Sequence, residues 1–229
     1  RLVEQSEGMA ASLEHWERAL AIIPDHPEVL GRYAAGQVGR DDTKALAAYE
    51  GALAAGVKAT DTFLAASSLA DKLGDTDKAI GYAEQAVAGQ PDHVAGWRLL
   101  WRLFKAKADS AGIERAAGEV VRLLPDDGDA QLEVARLSKN RKDFAAALAH
   151  YDAAIAAFEK AKDGSADSLK AALAEQTSLH KELKILRKAP RGSAKKVVGT
   201  VQWRAQQVYE ERLKKSRRLK GNVQIDVQT

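Results

Sequence analysis

The chain has no cysteine. Disulfides, thiolate nucleophiles and cysteine-ligated zinc are therefore excluded, although the absence fixes no compartment. Proline occurs five times and glycine 17 times in 229 residues. Such sparse helix breakers, beside abundant alanine, fit closely packed helices. No run of about 18 apolar residues exists, so no segment reads as membrane-spanning. The phosphate-cradling GxxxxGK[ST], the GxSxG elbow and the H-E-x-x-H metal motif are all missing. Carboxylate pairs are plentiful, but no pattern makes a pair converge, and the chain reads as non-catalytic and free of cofactors.

What the sequence does have is a register. Small or β-branched residues stand at Ala19, Ala52, Ala86, Val120 and Ala154, spaced 33, 34, 34 and 34 apart. Seven positions earlier stand Ser12, Ala45, Ala79, Ile113 and Ala147, and three earlier Trp16, Tyr49, Ala83, Ala117 and Tyr151. Five positions after three of the anchors lie Pro24, Pro91 and Pro125. Proline there ends one helix and biases its predecessor out of helical angles. A fixed period of this length is the mark of stacked supersecondary units. Apolar periodicity predicts helix pairs at about 27–38 and 42–56, 59–73 and 76–89, 93–107 and 110–123, and 127–140 and 143–161, preceded by a helix at about 9–23. Asp75 or Thr76, Asp109 or Ser110, and Asp126 or Asp127 are the expected helix caps.

These residues resemble the tetratricopeptide repeat family over roughly residues 9–160. The fullest copy runs from Pro91 to Pro125, with Trp97, Leu100, Trp101 and Phe104 at the family's large positions. A second copy holds Phe63, Leu73, Gly74, Ala79 and Ala86. The copy at Leu30, Tyr33 and Ala45 is short by one turn residue, and the copy at Val134, Phe144, Tyr151 and Ala154 has Gln131 where an aromatic is usual. The resemblance implies an all-α, right-handed helical solenoid over residues 1–163, with about four repeats and a partial first one. It also implies that first helices line a concave groove. Carried onto this chain, the ligand-facing positions are Arg98, Arg102, Lys105, Arg136, Lys139 and Asn140. A partner protein or acidic peptide would gain charge-assisted hydrogen bonds there. The bland alternative is a solvated helix face with Asp129 and Glu133 nearby. The chaperone-tail clamp of the family is not reproduced.

Residues 164–188 read as a capping helix, with Leu169, Leu173, Leu179, Leu183 and Leu186 covering the last repeat. Ala189-Pro190-Arg191-Gly192-Ser193 marks a linker within residues 189–194. Beyond it, residues 195–218 predict a basic amphipathic helix, and Val223, Ile225 and Val227 alternate with polar residues as one short strand. Residues 184–229 hold 13 Lys or Arg against 3 Asp or Glu, whereas the remainder holds 22 against 29. This opposition predicts two modules with different partners. The stretch Val197 to Thr229 resembles the start of a TonB-like C-terminal domain of envelope and gliding-motility proteins, with Val208 where cysteine is common. That resemblance implies an incomplete α+β module in the periplasm or cell envelope that pairs strands with partner proteins; as a separate alternative, the edge at Val223, Ile225 and Val227 or the helix at 166–188 would serve self-association. Nucleic acid is the lesser partner for the basic tail, because Glu210 and Glu211 interrupt its charge. Arg1 in the place of an initiator Met, before a repeat lacking its first helix, predicts an excerpt of a longer protein.

His26 and His93 recur in equivalent Pro-Asp-His turns, and His15, His150 and His180 have no suitably spaced companions. No metal site is expected. Trp97, Trp101 and Phe104, at i, i+4 and i+7, form a core stripe rather than a platform for bases.

Overall fold

The computed structural model of the protein describes residues 8–161 and 166–188. Ten helices account for nearly all of them: α1 (Gly8–Ile22), α2 (Pro27–Gln37), α3 (Asp42–Ala54), α4 (Thr60–Lys72), α5 (Thr76–Gly89), α6 (Val94–Ala106), α7 (Ser110–Leu123), α8 (Gly128–Asn140), α9 (Phe144–Lys160) and α10 (Ala166–Lys188). The predicted linker, the basic helix, and the strand with Val223, Ile225 and Val227 lie outside the described residues, as does the whole TonB-like stretch. Among the described residues there is no strand. The helices divide into two compact units, one ending at Leu124 and the other beginning at Pro125.

The hairpin turns show how the register becomes structure. Asp41, Asp75, Asp109 and Asp143 each cap the second helix of a pair, accepting N–H bonds of 3.0–3.1 Å from residues two to three positions on. Such a side chain satisfies donors that the first helical turn leaves orphaned. At three of these aspartates the backbone N–H also closes the finished helix, bonding back to Ala70, Phe104 and Ser138 in a six-residue Schellman turn. That closure needs a left-handed residue, and Gly74, Ala108 and Lys142 supply it, with φ of 88°, 54° and 63°. The first pair closes differently: Asp41 bonds back only to Gln37, four residues away. The spacing of 33 is thus one residue lost at the junction between α2 and its turn.

In the first unit, α2–α3, α4–α5 and α6–α7 are hairpins, α1 packs on α2, and each later first helix packs on the preceding second helix. Small residues let the helices approach: Ala45, Ala66, Ala79, Ala83 and Ala116 have no exposed surface, and Leu69, Leu100, Leu103 and Phe104 fill the layers between them. Burying each of these larger side chains is worth roughly 1.5–3 kcal/mol. Trp97 and Trp101 pack against this cluster but stay half-buried. Ser67, fully buried where α4 crosses α5, donates its hydroxyl to the Ala79 carbonyl at 2.7 Å. A buried hydroxyl without such a partner would cost stability.

In the second unit, α8 and α9 form a hairpin covered by α10. Tyr151, Ala154, Ala172 and Leu179 are completely enclosed. Here the expected leucine stripe needs correction: Leu173 is exposed, and the buried face runs through Leu169, Ala172, Gln176, Leu179 and Leu183. An alternating three- and four-residue spacing keeps these side chains over one seam, and a small residue lets α10 sit close to α9.

Candidate functional site

The six predicted ligand-facing residues fall three in each unit, on first helices. In the first unit Arg98, Arg102 and Lys105 project from α6 and are exposed. Arg102 pairs with Asp71 of α4 at 2.8 Å while its side chain remains 62% exposed. The Lys105 ammonium lies 5.5 Å from the centre of the Trp101 ring, within range for a cation–π contact. At the register positions equivalent to Arg102, α4 carries Ser68 and α2 carries Ala35, both exposed. The arrangement can offer bidentate hydrogen bonding from guanidinium to a carboxylate.

In the second unit the bases are engaged. Arg136 forms a forked pair with Glu175 of α10, with N···O distances of 2.6, 3.0 and 3.2 Å, and the Tyr151 hydroxyl donates to the same carboxylate at 3.1 Å. The hydrogen bond from Arg136 holds the Glu175 carboxyl below the usual carboxylate range, outweighing burial. Burial, reinforced by Glu175, pushes the Tyr151 phenol up. Lys139 reaches Glu182, one seam further along α10, at 3.4 Å. Asn140, at the last position of α8, is exposed.

Gln131 turns out to replace the missing aromatic in function as well as position. The Trp97 indole N–H donates to the Pro91 carbonyl at 2.8 Å, and 34 residues on the Gln131 amide donates to the Pro125 carbonyl at the same distance. Its oxygen lies 2.7 Å from His150 Nδ1, which therefore carries the proton in the arrangement that satisfies both groups. Burial lowers the His150 pKa. His93 is a helix cap, accepting from the Gly96 N–H at 3.1 Å, whereas His26 makes no side-chain cap bond. Among the described residues no group of three His, Asp or Glu could hold a metal ion, and no helix is long and apolar enough to cross a membrane.

Stacked helical hairpins of this period, with small residues at their crossings, define a tetratricopeptide-like all-helical fold. Solved structures with that fold include a crystal structure of MamA (TM-score 0.59, 11% identity, covering 69% of this chain and 93% of that one). They also include YrrB, a tetratricopeptide protein with an unusual peptide-binding site (TM-score 0.58, 18% identity, 68% and 81% covered). MamA from Desulfovibrio magneticus RS-1 is similar again (TM-score 0.56, 14% identity, 70% and 92% covered). No family model and no curated protein matches the sequence.

Proposed function

We propose that the chain is a non-catalytic interaction scaffold that receives a partner segment against the first helices of its repeats, through Arg98, Arg102 and Lys105 in the first unit. The observation that carries this reading is the row of exposed bases on one first helix, with Arg102 reaching Asp71 of the first helix before it. Rigid helices hold the bases in place before binding, so little ordering entropy opposes capture. YrrB, built on a similar fold, is a peptide binder, which supports the same use here. The preferred partner is acidic. Its cellular setting, a bacterial envelope or motility assembly, rests on the TonB-like resemblance of residues 197–229 and is the finer part of the proposal. A cytoplasmic signalling or polarity adaptor and a self-associating structural subunit are the other settings for the same surface.

Affinity capture with the intact protein, followed by mass spectrometry, tests the reading. Reversing Arg98→Glu and Arg102→Glu together should remove partners captured by the wild type while far-UV helicity is retained. Arg102 is mostly exposed, and surface ion pairs such as its bond to Asp71 carry little stability. An unchanged set of partners would discard the site.

A further inference from the structure

The repeat register aligns Arg136 and Lys139 of α8 with Arg102 and Lys105 of α6, 34 residues earlier. In the second unit those positions already hold two glutamates of a helix belonging to the chain itself. Glu175 and Glu182 stand seven residues apart on α10, two helical turns, and so share one face. They meet Arg136 and Lys139, three residues apart on α8. The seam beside them is apolar, with Ala172 and Leu179 enclosed against Tyr151, Leu148 and Leu132. Carboxylates at one edge and a small-then-large apolar seam at the other describe a complete ligand for this surface.

We propose that α10 is a resident ligand: the α8–α9 surface is a docking site for an amphipathic helix that presents two carboxylates on one face, and α10 fills it until a partner helix with the same face displaces it. This deepens the scaffold reading, on which it rests, by naming the partner class as a helix with two carboxylates seven residues apart and an apolar seam beside them. The charge anchors are the replaceable part of the contact. The Arg136 and Glu175 side chains are 40% and 32% exposed and those of Lys139 and Glu182 28% and 48%, so water and salt reach all four. The apolar seam is the part an incoming helix must reproduce. A peptide carrying charge alone therefore gains the two ion pairs but leaves the enclosed Tyr151 and Leu148 exposed.

The test uses the full chain and a labelled synthetic peptide with the sequence of residues 166–188 as probe. Glu175→Gln with Glu182→Gln in the chain weakens the resident helix and leaves the incoming one intact. Probe affinity should then rise about tenfold over the wild type. Arg136→Glu with Lys139→Glu in the chain should abolish probe binding, and a probe carrying lysine at both glutamate positions should restore it. Equal affinity of the wild-type and glutamine-substituted chains, or binding indifferent to these charge reversals, would overturn the proposal. Hydrogen exchange of the unsubstituted chain gives a second readout that needs no variant to fold. Raising ionic strength should speed exchange in α10 relative to α8, since screening weakens partly exposed pairs. Exchange in α10 that ignores salt would also overturn it. Failure here leaves the Arg98 and Arg102 test in the first unit standing, and the reverse holds too.

Discussion

A methyl group added at Gly112 would lie 2.3–2.4 Å from the Phe104 ring, and one added at Gly128 would lie 2.6 Å from the Phe158 ring. Each glycine sits in the first turn of a helix beneath an aromatic from its own hairpin, where nothing small can give way. Gly112→Ala and Gly128→Ala should each cost about 1–3 kcal/mol, as overpacked cores do. Gly81 and Gly118, inside α5 and α7, face open space. There alanine should stabilise by about 0.5–1 kcal/mol, because only the helical entropy penalty of glycine changes. Urea unfolding of the four variants checks both signs. Histidines supply a second prediction at this scale. Burial lowers the pKa of both His150 and His180, with Asp152 opposing and Lys184 adding at His180, and Asp143 opposing at His150. A depressed folded pKa contributes stability above the unfolded value of 6.5 and loses it as pH falls toward the folded value. Stability should therefore decline from pH 6.5 to 5, and His150→Gln with His180→Gln should flatten that slope in unfolding titrations.

At the scale of the element, the turns decide how well hairpins close. Ala108 and Lys142 hold left-handed angles that glycine tolerates at Gly74. Ala108→Gly should gain about 0.5 kcal/mol, the left-handed strain relieved exceeding the entropy that glycine brings. Asp75→Ala and Asp109→Ala should each lose about 1 kcal/mol as caps are removed. Thermal or denaturant unfolding measures these shifts. Element boundaries were legible in the sequence to within a residue or two, because apolar period, proline position and capping aspartates all agree. The caps at Asp41 and Asp143 belong to the same 34-residue register as Asp75 and Asp109, and following that register would have found them. The seam of α10 was not legible in full: a count of leucines selects Leu173, but close packing on α9 selects Ala172. Gln131 escaped for a related reason, since its hydrogen bond to Pro125 copies a tryptophan that it does not resemble in composition.

For the molecule as a whole, the tetratricopeptide-like fold was readable from the repeat register together with the family resemblance its residues carry, whereas the state of its candidate site was not. All six residues that the resemblance marked as ligand-facing lie on first helices. Nothing local, however, signals that Arg136 pairs with a glutamate 39 residues later, because that pairing depends on how α10 seats on its hairpin. Charge at the same repeat position consequently serves two ends: in the second unit it anchors the chain's own helix, and in the first Arg102 pairs with Asp71 while its own side chain stays largely exposed. Site-specific photo-crosslinking in the intact protein tests the central claim most directly. A crosslinker at Ser68, exposed on the first-helix face, should give a discrete partner adduct, and one at Gln85, exposed on the second helix α5, should give none. Adducts from Gln85 with none from Ser68 would contradict capture along the first helices.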